Sequence, residues 1–466
     1  MMSLAQAKTL LPGSQLHAAA GAADLRFTRV HTDSRSLQPG DLFVALRGER
    51  FDAHGFIAQA AAAGAVAALV DHVPEGTALP CLQVPDTLAA LQQLATAWRL
   101  RYAGPLVTVT GSNGKTTVTQ MVAAIFQAWV GDAALATAGN FNNHIGVPLT
   151  LLRLRPEGSH AHQAAVLELG MNHPGEIALL AAMARPTVAL VNNAQREHQE
   201  FMASVEAVAR ENGSVIAALP AQGTAVLPAG DVHLPLWREL AEGRAIWTFG
   251  LQADPDAAAQ HVHADAHWQP RDAAWVLQLY TPGGGADTTL ALAGRHNVAN
   301  AAAAAACALA AGAPLRAVAL GLAAFRPVAG RSQALSLQRG GQAVTLIDDS
   351  YNANPDSVRA AIDLLASLPG PRWLLLGDMG EVGTQGPQFH AEVGEHARAS
   401  GIDTVWAAGP LCAHAGAQRH FASVADMLSA LPQGPAAASI VVKGSRFMKM
   451  EQVVHALKTQ EARHAA

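Results

Sequence analysis

Residues 106–117 are Leu-Val-Thr-Val-Thr-Gly-Ser-Asn-Gly-Lys-Thr-Thr, an apolar, β-branched run followed at once by a glycine-rich turn and a lysine. Apolar residues then recur at the i, i+3, i+4 spacing of a buried helix face, at Val118, Met121, Val122 and Ile125. This order predicts a strand, a loop and a helix in succession. A loop that binds nucleotide phosphates occurs in that context.

The chemistry expected of this loop follows from its residue types. Glycines let backbone N–H groups turn onto phosphate oxygens, and the helix N-terminus adds positive potential. Lys115 can neutralise the β- and γ-phosphates of ATP, and Thr116 can ligate magnesium. Val109 stands where the usual motif has its first glycine, so the alternative of an ordinary glycine-rich turn has to be weighed. The residues expected to bind ATP here are Gly111, Ser112, Asn113, Gly114, Lys115, Thr116 and Thr117.

Length and composition bound the class of protein. A chain of 466 residues, half of them hydrophobic and 14% charged, predicts about three globular domains. The net charge of −5, without a basic block, argues against binding to nucleic acid. Three distant cysteines favour neither disulfides nor zinc, and the long apolar tracts are mostly alanine. We therefore expect a cytoplasmic protein that is not inserted in a membrane.

The rhythm of apolar runs predicts an α/β fold in three domains. A small α/β domain (residues 1–103) is followed by a central phosphate-loop ATPase domain with a parallel sheet (104–329) and by a Rossmann-like C-terminal domain (330–466). Gly283–Gly285 is typical of a hairpin loop. The strands are expected at 42–46, 65–70 and 81–84, then at 106–110, 165–169, 187–191 and 224–227, and then at 343–347, 373–376, 404–407 and 439–442.

Two further side chains of the central domain are candidate magnesium ligands. Glu168 lies in an otherwise apolar strand, where an unpaired carboxylate is costly and a cation would be favourable; a strand-end glutamate reaching solvent is the alternative. His198 follows a polar loop at the ligand-binding edge of the sheet. By itself this histidine is more typical of a surface residue.

Polar strings follow three strands of the last domain. They are Asp348–Asn354, Gly377–Gly383 and Lys443–Arg446. Because the carboxyl ends of parallel strands meet at one edge, these strings predict one ligand cleft. Turns built from small polar residues would look similar.

Taken together, these segments resemble the Mur ligase family over nearly the whole chain. The first domain adds Thr32–Arg35 and Asp41–Gly48, which in the family belong to the region that binds UDP. The central domain adds Gly139–Pro148 and His296–Asn300. The strings at 348–354 and 443–446 favour the member that joins D-alanyl-D-alanine to UDP-N-acetylmuramoyl-tripeptide.

The resemblance implies roles for particular residues. Lys115, Glu168, His198 and Arg331 would be catalytic, with Thr116, Glu168 and His198 as ligands of Mg²⁺. Nucleotide contacts beyond the phosphate loop would come from Asn297, Asn300, Arg331 and Asp349. Substrate contacts would come from Ser34, Arg35, Asn142, Asn143, Tyr351, Asn352, Lys443 and Arg446.

The implied reaction uses ATP to phosphorylate the terminal carboxylate of the tripeptide, and the amine of D-alanyl-D-alanine then attacks the acyl phosphate. We expect a monomer whose last domain moves toward the central one when ATP binds. No sequence motif indicates whether the third residue of the tripeptide is lysine or diaminopimelate. Folylpolyglutamate synthase is a rival, although about a hundred residues precede this phosphate loop, and an assembly protein that uses ATP as a switch is another.

One position departs from the family pattern. Counted forward from His198 without a gap, Asn212 stands where many Mur ligases have a lysine that is carbamylated to help hold a second magnesium ion. Asparagine cannot form a carbamate. The resemblance therefore implies that a second ion is held by other oxygens here or matters less.

Overall fold

The apolar runs identified in the sequence form the strands of three main β-sheets. The computed structural model of the protein describes residues 1–48, 51–253, 260–269, 274–339 and 341–464. The three sheets have five, nine and six strands, and each is the centre of one α/β unit. We call these the first, middle and last units.

The first unit has a five-stranded sheet in the order β2-β9-β8-β5-β4, in which the four strands from β9 to β4 are parallel. Its strands are β1 Met2–Ser3, β2 Gln15–His17, β3 Arg26–Phe27, β4 Arg29–His31, β5 Asp41–Val44, β6 Arg47–Gly48, β7 Phe51–Asp52, β8 Ala67–Val70 and β9 Cys81–Gln83. Its α-helices are α1 Leu4–Leu10, α2 Ile57–Ala62 and α3 Thr87–Arg99. Asp86 caps α3, whose Leu91, Leu94 and Trp98 are buried.

The middle unit has a nine-stranded sheet in the order β11-β12-β10-β13-β14-β15-β16-β17-β18. Its strands are β10 Leu106–Thr110, β11 Ala134–Ala136, β12 Ala164–Glu168, β13 Val188–Val191, β14 Thr224–Pro228, β15 Ala245–Gly250, β16 His261–Gln269, β17 Ala274–Thr281 and β18 Gly284–Leu290. Its helices are α4 Lys115–Val130, α5 Gly146–Leu151, α6 Glu176–Ala184, α7 Val205–Ala217, α8 Leu234–Leu240, α9 Arg295–Ala310 and α10 Leu315–Ala324. The parallel sheet predicted for this part of the chain is confirmed from β11 to β16.

Beyond the four strands predicted for this unit, the sheet contains the parallel strands β11, β15 and β16 and the antiparallel strands β17 and β18. The hairpin predicted near Gly283–Gly285 is confirmed, because the turn between these strands precedes Gly284, which has a φ of +120°. Thr281 Oγ1 donates a hydrogen bond to Gly284 O and closes the turn. The sequence of β18, Gly-Gly-Ala-Asp-Thr-Thr-Leu, has few apolar residues, so the turn is easier to recognise than the strand that follows it.

The alanine-rich helix α9 forms the centre of the middle unit. Residues 301–308, seven alanines and Cys307, have no exposed surface. The helix packs against α4 on one side and against strands of the sheet on the other. Small side chains allow this close approach. The sequence-based expectation of a packed helix is confirmed.

The last unit has a six-stranded sheet in the order β19-β20-β24-β21-β22-β23, in which only β19 is antiparallel to its neighbour. Its strands are β19 Gln333–Arg339, β20 Gln342–Asp349, β21 Arg372–Gly377, β22 Thr404–Ala408, β23 Arg419–Phe421 and β24 Ser439–Lys443. Its helices are α11 Pro355–Ala366, α12 Gly386–Ala399, α13 Val424–Ala430 and α14 Glu451–His464. The alternation of strands and helices around a mainly parallel sheet is the Rossmann-like arrangement that the sequence predicts.

The three α/β units confirm the predicted fold class. Within the described residues, none of the helices has the length and apolarity needed to cross a bilayer.

Candidate active site

The phosphate loop lies between β10, which ends at Thr110, and α4, which begins at Lys115. Gly114 precedes α4 with a φ of +83°. A Cβ atom on this residue would lie 2.6 Å from Asn300 Oδ1 and 2.7 Å from Asn192 Nδ2. Glycine alone suits this conformation and this space. The start of α4, with its free N–H groups, therefore stays open to an anion.

Lys115 folds back over its own loop. Its Nζ donates hydrogen bonds to Gly111 O (2.5 Å) and Ser112 O (3.1 Å), and it lies 3.3 Å from Glu197 Oε2. The lysine side chain is 16% exposed. These partners are oxygen acceptors of the kind that a triphosphate offers. The ammonium group is therefore held in place before any nucleotide binds.

The loop after β13 supports the phosphate loop from the side. Asn113 N donates to Asn193 Oδ1 (2.9 Å), and Asn113 Nδ2 donates to Gln195 Oε1 (2.6 Å). Asn192 Nδ2 donates to Asn113 O (2.8 Å) and to Asn300 Oδ1 (3.0 Å). β13 is the parallel neighbour of β10, so both loops leave the same edge of the sheet.

Asn297 and Asn300 begin α9 beside the phosphate loop. Asn300 Nδ2 donates to Asn297 Oδ1 (2.9 Å), and Asn297 Nδ2 donates to Ala293 O (2.6 Å). Both side chains are buried. They link the phosphate loop to the alanine-rich helix.

Glu168 ends β12 on the other side of β10. It is 3% exposed, and its Oε1 accepts a hydrogen bond from Asn142 Nδ2 (2.7 Å). No cationic side chain within the described ranges pairs with it. Glu197 Oε1 is likewise buried and has no hydrogen-bond partner. Buried carboxylate oxygens without a cation suit a hard divalent ion.

His198 has a left-handed backbone, with a φ of +49°, which is costly for a residue with a side chain. Its Nε2 lies 3.6 Å from Glu197 Oε2, and its Nδ1 lies 2.5 Å from Glu381 Oε2 of the last unit. Its side chain is 15% exposed. The loop therefore turns this imidazole inward, between the middle and last units, and not onto the surface.

The last unit contributes a buried ion pair to the same region. Lys443 Nζ lies 2.5 Å from Asp349 Oδ2 and donates to Asn352 O (2.9 Å). Burial opposes ionisation of Asp349, but the adjacent Lys443 ammonium outweighs it and keeps the pKa of this carboxyl below its usual value. The ring of Tyr351 lies under the guanidinium groups of Arg331 (4.3 Å) and Arg446 (5.1 Å).

These parts surround one cavity of about 850 Å³ between the middle and last units. Most of the predicted site residues line it: Ser112, Asn113, Gly114, Lys115, Thr116, Thr117, Asn142, Asn143, Glu168, His198, Asn297, Asn300, Arg331, Asp349, Tyr351, Asn352 and Lys443. Four predicted residues do not line it: Ser34, Arg35, Gly111 and Arg446. A cavity of this size holds a nucleotide-sized ligand.

The predicted UDP-binding residues lie apart on an exposed loop of the first unit. Arg35 pairs with Asp33 through two hydrogen bonds (2.9 and 2.6 Å), and its side chain is 83% exposed. This arginine lowers the pKa of Asp33 to about 2. Ser34 Oγ donates to Gln59 Oε1 (3.1 Å). The structure does not bring these side chains into the cavity.

Several cavity residues carried no individual signal in the sequence. Glu197, Asn192, Asn193 and Gln195 line the cavity, as does Asp356 of the last unit. The sequence predicts that the polar loop 192–197 lies at the ligand-binding edge of the sheet. It does not single out Glu197, because the contact of Glu197 with Lys115 joins residues 82 positions apart. A carboxylate directly before His198 was the available signal.

Asn212 does not line the cavity but contacts the backbone of the phosphate loop. Its side chain is 1% exposed, and Oδ1 accepts a hydrogen bond from Gly111 N (2.9 Å). Thr110 Oγ1 donates to its carbonyl oxygen (3.2 Å). Asn212 therefore fixes the first turn of the phosphate loop.

This fold and site define an α/β protein with a phosphate loop, whose nucleotide-sized cavity is closed by a Rossmann-like unit. Three family descriptions match in series: "Mur ligase family, catalytic domain" at residues 26–99, "Mur ligase middle domain" at 109–308 and "Mur ligase, glutamate ligase domain" at 330–464. The match of the first description includes Thr32–Arg35.

Individual relatives agree with these matches. The UDP-N-acetylmuramoyl-tripeptide–D-alanyl-D-alanine ligase of Escherichia coli (strain K12) is 43% identical over 94% of this chain and 95% of its own length. The crystal structure of MurF from Acinetobacter baumannii superposes with a TM-score of 0.87 at 34% identity and covers 98% of this chain and 99% of that one. The chain belongs to the Mur ligase family, as the sequence resemblance predicts.

A further solved structure has the same fold. MurF ligase from Thermotoga maritima, in complex with ADP, superposes with a TM-score of 0.80 at 24% identity and covers 95% of this chain and 99% of that one.

Proposed function

We propose that this protein uses ATP to join D-alanyl-D-alanine to UDP-N-acetylmuramoyl-tripeptide, as a step of peptidoglycan precursor synthesis. The observation that carries the proposal is the cavity that brings together the phosphate-loop lysine, the buried Glu168 and the Asp349–Lys443 pair. The near full-length similarity to the UDP-N-acetylmuramoyl-tripeptide–D-alanyl-D-alanine ligase of Escherichia coli supports the choice of substrates.

The reaction needs activation because a carboxylate is a poor electrophile at neutral pH. A terminal carboxylate oxygen of the tripeptide attacks the γ-phosphorus of ATP, the bond to the bridging oxygen breaks, and ADP leaves. The amine of D-alanyl-D-alanine then attacks the acyl carbon, inorganic phosphate leaves, and the amine nitrogen loses a proton. Each step requires neutralised phosphate charge and exclusion of water, because water would hydrolyse the acyl phosphate.

The chain's own residues supply that environment. Lys115 exchanges its loop carbonyls and Glu197 for phosphate oxygens, and Arg331 adds a second cation from the last unit. Asn297, Asn300 and Asp349 line the same cavity and are proposed to contact the nucleotide. Asn142, Asn143, Tyr351, Asn352, Lys443 and Arg446 are proposed to position the amino-acid substrates, with Ser34 and Arg35 on the UDP group.

Mg²⁺ fits the donors that these residues offer. Thr116, Glu168 and His198 would hold the ion, and Glu168 lacks a cationic partner among the described side chains. Bound there, magnesium would screen the charge of the transferring phosphoryl group. Asn212 donates no carboxylate to this site, so any second ion would use other oxygens.

The remaining proposals concern the whole chain. We place the domain boundaries at 1–103, 104–329 and 330–466, consistent with one sheet in each segment. We also propose that the protein is a monomer. A cytoplasmic location suits a consumer of ATP whose three cysteines are buried and unpaired.

Phosphate release tests the proposed function. It is measured with ATP, the UDP-tripeptide and D-alanyl-D-alanine together, and then with each omitted in turn. We expect release to fall to background in every omission, and a peptide product to form in proportion to phosphate. Release that continues without the dipeptide would instead favour a protein that uses ATP as a conformational switch.

A further inference from the structure

The loop between β13 and α7 reaches across to the last unit, and Arg196 makes its densest contacts there. Arg196 N donates to Asp356 Oδ2 (2.8 Å), and Nη2 donates to Asp356 Oδ1 (2.6 Å). Nη1 donates to Glu392 Oε2 (2.8 Å). Asp356 lies in the first turn of α11 and Glu392 in α12. One guanidinium of the middle unit thus joins two helices of the last unit.

Arg196 itself stays outside the cavity, although its neighbours Gln195, Glu197 and His198 line it. We propose that Arg196 is a positioning residue: it docks the last unit over the phosphate loop and so sets the distance between Lys115 and the substrate-binding side chains of that unit. The inference rests on the proposed function for its kinetic consequence only. The docking itself follows from the contacts.

The contact site on the last unit explains why docking affects the cavity. Asp356 also lines the cavity, and it follows the segment that carries Asp349, Tyr351 and Asn352. Asn354, in the same segment, donates from Nδ2 to Asn113 Oδ1 of the phosphate loop (3.0 Å). Holding Asp356 therefore holds this segment against the nucleotide side. A displacement of an ångström there is enough to impair a positioned reaction.

The charges favour a strong contact. Two carboxylates share the guanidinium in bidentate geometry, and the side chains of Arg196, Asp356 and Glu392 are 23%, 23% and 33% exposed. Their hydrogen bonds, that of Asp356 above all, raise the pKa of Arg196, which stays charged. The guanidinium carbon also lies 5.4 Å from the centre of the Phe389 ring. Without Arg196 the two carboxylates would repel each other at the interface.

The other contacts across this interface are weaker or belong to the proposed metal site. Glu200 N donates to Glu381 O (3.2 Å). In the part of the chain that the structure describes, the other ion pair between the middle and last units is His198 with Glu381. Because His198 is a proposed magnesium ligand, Arg196 is the ionic contact that serves docking without taking part in metal binding.

The chain provides a matched control. Arg359 Nη1 also pairs with Glu392 (3.2 Å), but both residues belong to the last unit. Arg359→Ala removes a guanidinium from the same carboxylate without breaking a contact between units. Arg196→Lys keeps the charge while losing the bidentate geometry, so it should give an intermediate effect.

Small-angle scattering and steady-state kinetics test the proposal on the full chain. For Arg196→Ala we expect a larger radius of gyration than wild type when a non-hydrolysable ATP analogue is bound, the state in which the last domain is expected to close, and a kcat/KM for ATP lower by roughly ten- to a hundredfold. Arg359→Ala should match wild type in both. Raising the salt concentration should expand the wild type more than Arg196→Ala, because the ionic contact is screened.

Two results would overturn the proposal. One is an Arg196→Ala protein with wild-type scattering and kinetics. The other is an equal effect of Arg359→Ala, which would assign the role to the packing of α11 on α12. Urea unfolding of each variant shows whether the fold is intact. The scattering measurement needs neither the tripeptide nor the dipeptide, so it tests docking even if the omission experiment rejects the ligase function.

Discussion

The phosphate loop and the first-unit loop at Thr32–Arg35 were both identified from short sequence strings, yet the structure builds them differently. Neighbouring side chains hold the phosphate loop, through Asn193 and Asn212 on its backbone and Glu197 on its lysine. In the first-unit loop, Arg35 is exposed and, among the described residues, pairs with Asp33 two positions earlier. The phosphate loop is thus preorganised by contacts from distant parts of the chain, whereas Arg35 is held by a near neighbour and stays accessible to a ligand.

Of the substitutions considered, Lys115→Ala in the preorganised phosphate loop should have the largest effect on activity. It removes the cation that the loop holds in place, and we expect kcat/KM for ATP to fall by about 10²–10³-fold. The unfolding midpoint should also fall, because the buried Glu197 would lose its cationic partner. Kinetics and urea unfolding of the same preparation check this. A loss of less than threefold would remove Lys115 from the proposed mechanism.

Gly114→Ala should show that the conformation of the phosphate loop depends on its close packing against Asn192 and Asn300. The new Cβ would meet Asn300 Oδ1 at 2.6 Å in a conformation that L-residues rarely adopt. We expect unfolding free energy to fall by roughly 1–3 kcal/mol and ATP binding to weaken. Calorimetry measures both. Gly76→Ala, at another positive φ but in open space, controls for backbone strain alone.

Asp349→Asn extends the comparison to the last unit, where a buried pair again supports the cavity. Since the folded pKa of Asp349 lies below its unfolded value, its ionised form adds stability above about pH 4, and this stability is lost as the pH falls toward the folded pKa. The variant should therefore lose less stability than wild type on acidification below pH 4. Urea unfolding against pH tests this, and the exposed Asp24→Asn should follow the wild-type curve.

Arg35→Ala should give the smallest structural effect. The side chain is exposed, so the unfolding midpoint should match wild type. If the loop contacts the UDP group, KM for the UDP-tripeptide should rise by roughly tenfold, the cost of one charge-assisted hydrogen bond. KM for ATP should not change. An unchanged KM for both would separate this loop from substrate binding.

The sequence predicted what local order determines. Continuous apolar runs gave the core strands to within a few residues, and the strand, glycine turn and helix around Lys115 gave the nucleotide site. The hairpin turn before Gly284 was predicted, but its strands β17 and β18 were not assigned, and β18, Gly-Gly-Ala-Asp-Thr-Thr-Leu, has few apolar residues to mark it. The contacts of Glu197 with Lys115 and of Arg196 with Asp356 were missed because they join residues far apart, and no spacing rule encodes which unit a loop will touch.

The alanine-rich helix α9 has a mechanical consequence. An alanine methyl group has no alternative rotamers, so the run 301–308 packs against α4 and against strands of the sheet and cannot repack or yield. Asn297 and Asn300 stand in the first turns of α9, and Asn192 links Asn300 to Asn113 of the phosphate loop. The nucleotide site is therefore held by a rigid, fully buried part of the core. A single added methylene in that run would be felt where the phosphates bind.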